Sequence, residues 1–595
     1  MSWKIREEAV LKSGLTPADL EQALSLPHWI AVILHHRMRS WGDQSLDAVK
    51  RFLEPSLKFL PDPFSLPDMD RGAERLAEAI TEGQKIAVYG DYDVDGTVGS
   101  AVLRRFLRRL GVEPTIYQPD RQKEGYGINR AAVERLAEEG HQLMIAVDCG
   151  ITSVAEVERA NELGMDVIIC DHHEPKEILP PAYAVLDHRR ADNESAIQSL
   201  SGAGVAFYLA IATRSMLRDI GHFDPENGSV KEPDIRELLD LVALAAVADM
   251  VPLVDENRIL LKAGLDKMRK NPNLGIRELL RVADIKPEEV AAYHLGFVLG
   301  PRINASGRLG SANGAMELLT TDDPEEARAL AEKLHGVNAE RIELQNEVVD
   351  EALAQAALKI EANPEIPALV LIGDGWHEGV IGIVASKVVE RYQRPVAMIT
   401  FATHSGFGKG SVRGIPRLDM LSAMEAGAAH LKGFGGHKAA AGLSLEKNEI
   451  EAFTDAFVNA IGDQASVLTE GKSRLLPREV VADLVLENDD ALTAESVAML
   501  DRLAPFGIGN AEPVVVVSGW KIAGSKTLKE RHLKIQFTTQ QNKSLEGFWA
   551  NGSGRLSVPE ATEVDIICLP QINSFRNLNR LELKIKDIRA ARTTQ

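Results

Sequence analysis

The 595-residue chain contains only three cysteines, Cys149, Cys170 and Cys568, scattered far apart. This excludes a disulfide framework and a clustered thiolate zinc site, and a reducing cytosol is the expected location. No run approaches the ~20 uncharged apolar residues needed to span a bilayer, which excludes a helical membrane protein. The first thirty residues include Lys4, Arg6, Glu7 and Glu8 but no continuous apolar stretch, so no secretory signal is expected. Repeats of fixed period and low-complexity tracts are lacking too. Positive charge is in deficit: 67 Lys and Arg against 87 Asp and Glu leave −20. Taken globally, that argues against nucleic acid as a partner, which needs basic surface. The deficit is uneven, however. Residues 513–595 hold 13 Lys and Arg against 7 Asp and Glu, a local +6 that leaves −26 elsewhere, so whole-chain charge does not decide the partner.

What is present is ordinary for a soluble protein with substantial cores: 45% hydrophobic and 26% charged residues. The length allows about three or four domains. Residues 1–74 read as a helical, peripheral extension ending in a proline-rich stretch. From residue 84 short apolar runs alternate with amphipathic helical segments, and strands are predicted at 85–90, 115–118, 143–148, 166–171 and 182–187. Alternating elements with near-continuous apolar strands imply a parallel sheet covered on both faces, in a domain spanning 75–322. Asp323 and Pro324 then open one long helix over 323–362, with Asp323 as cap and Pro324 in the first turn, a bridge between two lobes. A second, smaller α/β domain follows at 363–465, with strands at 369–372 and 396–401. Residues 466–595 become mainly β, and five strands at 514–523, 532–538, 544–549, 564–569 and 581–588 predict a small β-barrel.

Four of the five strands in the first α/β segment end in aspartate. The clusters are Asp91-Tyr92-Asp93-Val94-Asp95-Gly96, Asp148-Cys149-Gly150, Asp171-His172-His173, and Asp187. In an open parallel sheet the carboxyl ends of the strands face one crevice, so different strands deliver these side chains to one place. Asp249 follows a further apolar run. So many carboxylates would repel one another unless cations compensate them. Carboxylates with one or two imidazoles suit Mn²⁺ or Mg²⁺, and a pair of ions sharing Asp148 would activate a water and stabilise charge on a phosphoryl group. Asp91–Gly96 superficially resembles a calcium loop, but position twelve is Val102 rather than Glu and a strand precedes it, so that reading fails.

These motifs, in order, resemble the DHH phosphoesterase superfamily and, within it, the RecJ-type single-stranded-DNA-specific exonucleases. Further segments carry the likeness: Arg121 through Glu124-Gly125-Tyr126-Gly127, Ser201-Gly202-Ala203-Gly204, Val247-Ala248-Asp249-Met250-Val251-Pro252-Leu253, Gly300-Pro301-Arg302-Ile303-Asn304-Ala305 with Gly307-Arg308, Gly433-Phe434-Gly435-Gly436-His437, and Pro505-Phe506-Gly507-Ile508-Gly509-Asn510. The resemblance implies a parallel-sheet DHH catalytic lobe, a DHH-associated lobe and an oligonucleotide-binding barrel. It implies that Asp93 and Asp148, with Asp91 nearby, hold one Mn²⁺ or Mg²⁺, and that Asp95, Asp148, His172 and Asp249 hold the other. His173 would polarise the scissile phosphate, so that His173, Asp148 and Asp91 count as catalytic. Two positions depart from the pattern: His188 stands where relatives often carry Asn, and Gly414 where Ser is common.

Residues 404–417 combine glycine flexibility with Lys409, Arg413 and Arg417, a composition suited to a phosphate. By resemblance this region and the Pro301-Arg302 loop receive the 5′-terminal phosphate, with Ser411, Arg413 and either Arg302 or Arg308 as candidates and His437 near the scissile or adjacent phosphate. The arginines among residues 104–109 read as a solvated helix face. In the barrel, Phe537, Phe548, Trp549 and Phe575 offer rings for stacking bases, some of them core and one or two expected at the surface. The resulting expectation is a 5′→3′ exonuclease on single-stranded DNA that releases mononucleotides in repair and recombination. A phosphodiesterase on short oligonucleotides or cyclic dinucleotides is the alternative. By resemblance, a single-strand-binding protein and a helicase are the expected protein partners of a monomer.

Overall fold

The computed structural model describes all residues except 1, 8–9, 121–123, 126, 226–229, 310–312, 402–406, 478, 487–488, 557, 560–561, 574–579 and 592–595. Arg121, Tyr126, His404, Ser405, Gly406 and Phe575 therefore lie outside the described residues, as does the side chain of Arg308. The chain folds into two compact units, one of Met1–Asn304, Ala312–Glu332 and Glu479–Gln595, the other of Ala305–Ser311 and Lys333–Arg478. No helix among the described residues is long and apolar enough to cross a membrane.

In the first unit a short strand β1 (Ser2–Ile5) and four α-helices (Pro17–Leu24, His28–Met38, Leu46–Leu53, Met69–Thr81) precede a five-stranded sheet among the described residues. That sheet comprises β2 (Ile86–Gly90), β3 (Thr115–Tyr117), β4 (Leu143–Val147), β5 (Asp166–Cys170) and β6 (Ala184–Leu186), all parallel, in the order β3-β2-β4-β5-β6. Every residue of β2 and β4 is buried, as expected of strands covered on both faces. The chain steps from β2 outward to β3 and then back across to β4, so the carboxyl ends of β2 and β4 flank the point where strand order reverses. Crevices for ligands open at such points. The helix Val94–Arg109 turns Arg104, Arg105, Arg108 and Arg109 outward, where they pair with Glu113, Asp322 and Glu237.

The second unit contains β7 (Leu369–Asp374), β8 (Val396–Phe401), β9 (Gly408–Arg413), β10 (Gly433–Gly436) and β11 (Ala440–Leu445) in one mixed sheet ordered β10-β11-β9-β8-β7. The helix Pro324–Ala362 is 39 residues long, about 58 Å at 1.5 Å per residue. Asp323 caps it as expected, its carboxylate accepting from Glu325 N at 2.8 Å. Residues through Glu332 belong to the first unit, and from Lys333 the helix belongs to the second, where Val348, Ala352 and Ala356 pack with Leu369, Leu371, Val396 and Met398 of the sheet.

Residues from Glu479 onward return to the first unit. β12 (Glu479–Ala482) pairs in parallel with β1. Then β13 (Leu484–Leu486), β14 (Val515–Leu528), β15 (His532–Thr538), β16 (Ser544–Trp549), β17 (Glu563–Asn573) and β18 (Arg580–Ala590) follow, and pairing runs β14-β15-β16-β18-β17 and back to β14. The five strands thus close into the expected barrel, with β13 added beside β14.

The N-terminal residues differ from the peripheral, helical reading. They include a strand, and Trp29, Ile30, Ile33, Leu34 and Phe52 share one core with Val515, Trp520, Phe537, Trp549 and Ile566 of the barrel. The helix His28–Met38 is apolar on nearly every side, and such a helix is stable only when surrounded. The segment leading into the barrel, residues 502–508, also docks on residues 253–258 of the same unit. Arg258 is 1% exposed, and its guanidinium donates to the carbonyls of Phe52 and Ala504 at 2.7 Å each and to those of Arg502 and Pro505. Leu253 N donates to the Ile508 carbonyl at 2.7 Å.

Candidate metal centre

The first three acidic clusters sit just past strands, and each is tied to the neighbouring strand by its own backbone. Asp91 N donates to Val147 O, Asp148 N to Cys170 O and Asp171 N to Leu186 O, at 3.2, 2.9 and 3.1 Å. The carboxyl ends of β2, β4 and β5 are thereby held level. Asp93 caps the helix Val94–Arg109, accepting from Asp95 N and Gly96 N, so the positive end of that helix faces the cluster. Asp148 takes a φ of 61°, a left-handed conformation uncommon for a side-chain-bearing residue. A Cβ on Gly202 would lie 2.9 Å from Asp148 Cα, so only glycine lets the helix Gly202–Asp219 approach this closely. The first N–H groups of that helix hold Asp95: Gly202 N donates to Oδ2 at 2.6 Å and Ala203 N to Oδ1 at 3.1 Å.

Among the described residues three groups of potential metal ligands result, each with atoms within 4.8 Å of one another: Asp91, Asp93 and Asp148; Asp95, His172 and Asp249; and Asp148, His172 and His173. His172 Nε2 stands 3.2 Å from Asp148, 3.5 Å from Asp249 and 3.8 Å from Asp95. Asp148 and His172 each belong to two groups, which makes the three groups contiguous. All seven predicted side chains of the catalytic and metal sets are gathered here.

The electrostatics fit cations. Burial, reinforced by neighbouring aspartates, pushes Asp95 up to about 7, Asp249 up to about 9 and Asp148 well above the carboxylate range. Burial and the neighbouring His173 push His172 down to about 3, leaving it neutral and able to bind a metal through nitrogen. Buried carboxylates that resist ionisation beside a neutral imidazole make an oxygen-rich donor set that a hard divalent cation such as Mn²⁺ or Mg²⁺ would compensate.

Asp171 has a role that the sequence reading left unassigned. Its Oδ1 accepts from His172 N, His173 N and His173 Nδ1 at 2.8, 3.2 and 2.8 Å, and its Oδ2 from Ile151 N. Burial alone would lower His173, but its bond to Asp171 and that carboxylate's charge push it up to about 9. Asp171 is thus the orienting carboxylate for His173. Its position as a strand-end aspartate was the available signal. Asp187 lies close by, fully buried, and burial pushes it up to about 7.

The candidate phosphate-binding residues divide between the two units. Arg302, in the first, is half-buried and donates from Nη1 to Val298 O at 2.7 Å. Ser411 and Arg413 share β9 in the second, where Arg413 Nη1 donates to Ser411 Oγ at 3.0 Å and to Val412 O at 2.8 Å. His437 is exposed in the turn between β10 and β11, its backbone N donating to Ala440 O.

A reversing parallel sheet whose carboxyl edge carries this donor set defines a metal-dependent phosphoesterase of DHH type. Family comparison agrees: residues 85–246 match the DHH family, N-terminal domain, 365–463 the DHHA1 domain and 482–587 the RecJ OB domain. The chain is 36% identical to the single-stranded-DNA-specific exonuclease RecJ of Escherichia coli (strain K12), covering 96% of this chain and 98% of that protein. It is 33% identical to the protein of the same name in Bacillus subtilis (strain 168), over 99% of this chain and 70% of that protein. Among solved structures, RecJ from Thermus thermophilus in complex with Mn²⁺ superposes with a TM-score of 0.80 at 30% identity, covering all of this chain and 80% of that one. The same protein in complex with Mg²⁺ gives 0.73 at 28%, covering all of this chain and 79% of that one. The chain belongs to the RecJ family.

Proposed function

We propose that this protein is a metal-dependent exonuclease specific for single-stranded DNA, that it works from the 5′ end towards the 3′ end, and that it holds two divalent ions. The contiguity of the three ligand groups through Asp148 and His172 carries the reading. In this reading Asp91, Asp93 and Asp148 hold one ion, and Asp95, Asp148, His172 and Asp249 the other. Bound there, divalent cations acidify a water and neutralise charge on phosphoryl oxygens.

The chain's own residues do the rest. Asp171 fixes the His173 ring through Nδ1, and its carboxylate raises the imidazole's affinity for a proton, aiming a hydrogen-bond donor at a scissile phosphate as it gains negative charge. Water adds to phosphorus, the bond to O3′ of the terminal nucleotide breaks, and a proton goes to that oxygen. The departing mononucleotide keeps its 5′-phosphate and the shortened strand acquires a new one. Arg302 or Arg308, with Ser411 and Arg413, receive that 5′-phosphate, and His437 contacts a phosphate nearby. Each cycle thus regenerates the group they bind.

The domains assigned are an N-terminal extension (1–74), DHH catalytic domain (75–322), connecting helix (323–362), DHH-associated domain (363–465) and oligonucleotide-binding domain (466–595). The reading extends to a cytosolic monomer acting in DNA repair and recombination with a helicase and a single-strand-binding protein. The test is a gel assay on single strands labelled at either end, with Mn²⁺, Mg²⁺ or chelator. A 5′-labelled strand should yield labelled mononucleotide at once, and a 3′-labelled strand a descending ladder. The reverse pattern, or undiminished activity in chelator, would overturn the assignment. Titration calorimetry of Mn²⁺ into the chelated protein reads the ion count.

A further inference from the structure

Strand-binding proteins of this kind stack bases on aromatic rings, and the barrel was the expected source. One or two of its four rings were expected at the surface, and Phe575 lies outside the described residues. Phe537 and Trp549 are in the barrel core, and Phe548 is half-buried against His532. Among the described residues the two most exposed aromatic rings are Tyr293 and Phe297, 64% and 72% exposed, in the catalytic part of the first unit. Their centroids lie 5.0 Å apart at an interplanar angle of 21°, a stacked pair largely exposed to water, with the His294 ring edge-on to Tyr293 at 5.8 Å.

The backbone that carries them is fixed against the metal centre. The turn Leu295–Leu299 is π-helical, with Gly300 N reaching back to Leu295 O. A Cβ at Gly296 would lie 3.2 Å from Val247 Cγ1, and one at Gly300 would lie 3.4 Å from Ala248 Cβ and 4.0 Å from Val94 Cγ2. Val247 and Ala248 lead directly into Asp249, and Val94 stands between Asp93 and Asp95. This turn therefore abuts both ligand-bearing segments. Arg302 holds its guanidinium on the carbonyl of Val298, the residue after Phe297. A rigid pair of rings, a cation beside it and a metal centre one packing layer away are the components of a single-strand track.

We propose that Tyr293 and Phe297 form a stacking platform for nucleobases of a single strand whose scissile phosphate lies at the Asp148 centre. This rests on the nuclease reading above and adds a substrate-binding site to it. Both rings project into water, so replacing them should leave the thermal midpoint unchanged, while the loss of one stacked base raises KM about ten-fold.

The experiment compares the full-length enzyme with Phe297→Leu, Tyr293→Leu and Phe297→Trp, on 5′-phosphorylated strands with normal bases or with consecutive abasic sites near the 5′ end. Expected results are a raised KM with kcat within about two-fold for both Leu variants on normal strands, restoration by Trp, and no difference between parent and Leu variants on abasic strands. Unchanged KM, equal losses on normal and abasic strands, or full retention by Leu, which would mark an apolar contact or a protein-docking patch, overturns the proposal. A parent that degrades no strand overturns the functional reading instead. Quenching of 2-aminopurine in the bound strand, which needs no hydrolysis, then decides the platform independently.

Discussion

Neutralising one carboxylate tests whether the centre is built around cations. Burial, then the charges of Asp95 and Asp93, push Asp249 from its ordinary 3.8 up to about 9. In metal-free protein this group contributes stability that is complete below pH 3.8 and lost as pH rises to about 9, because over that window the folded chain keeps a proton that the unfolded chain releases. Each proton that the folded chain retains and the unfolded chain releases costs about 1.4 kcal/mol per pH unit, so stability falls steeply between pH 5 and pH 8 through the coupled set of Asp249, Asp95 and Asp148. Asp249→Asn keeps the volume and removes the titration. In chelator, the urea midpoint of the variant should fall less steeply with pH than the parent's, and the variant should be the more stable protein at pH 8. The curve flattens without becoming level, since Asp95 and Asp148 still titrate. Saturating Mn²⁺ should reverse the ranking, because only the parent has the full ligand set and ligand binding adds stability by mass action. Parallel curves in chelator, or equal stabilisation of both proteins by Mn²⁺, would refute the reasoning.

Arg413→Ala should weaken use of 5′-phosphorylated strands more than 5′-hydroxyl strands, by about ten- to a hundred-fold in kcat/KM, the worth of a charge-assisted contact to a terminal phosphate; equal losses on both would make it a general backbone contact. Asp171→Asn weakens the bond that holds His173 up near 9, so the alkaline limb of the kcat profile should move to lower pH and kcat at pH 8 should fall at least about ten-fold. Calorimetry should show Mn²⁺ affinity nearly unchanged in that variant, and a large loss of affinity would recast Asp171 as a ligand-positioning group for the metal. Arg258→Met leaves buried carbonyls of Phe52 and Ala504 without their donor and should cost about 3 kcal/mol or more in urea unfolding. Truncation before Glu479 should give an insoluble chain, because it strips the barrel from Trp29, Ile30 and Leu34, and a soluble, fully active truncate would show the shared core to be dispensable.

Much of the fold was readable because local rules and tertiary context agree. Near-continuous apolar runs in β2, β4 and β5 carry the signature of strands buried on both faces, and Asp323-Pro324 carries a helix start. The N-terminal segment was misplaced for a definite reason. The helix His28–Met38 announces burial through its apolar circumference, but nothing local says that its cover is a barrel at the far end of the chain. That some barrel rings must be core was expected, and the spacing says which. Leu533, Ile535 and Phe537 are spaced by two and must share one face of β15, so the apolar company of Phe537 already points inward.

The site shows the same division between what spacing supplies and what topology supplies. Strand ends yield the aspartates, but not which carboxylate meets which. That depends on β3 being pushed to the edge so that β2 and β4 become neighbours, which sequence order conceals. Had the sheet run in chain order, β3 would separate the Asp91–Asp95 turn from Asp148 by a further strand spacing of about 4.8 Å. That displacement equals the whole 4.8 Å within which Asp91, Asp93 and Asp148 now converge, and it would dissolve that group of ligands. The reversal of strand order is thus what turns a row of strand-end aspartates into a centre with Asp148 in the middle.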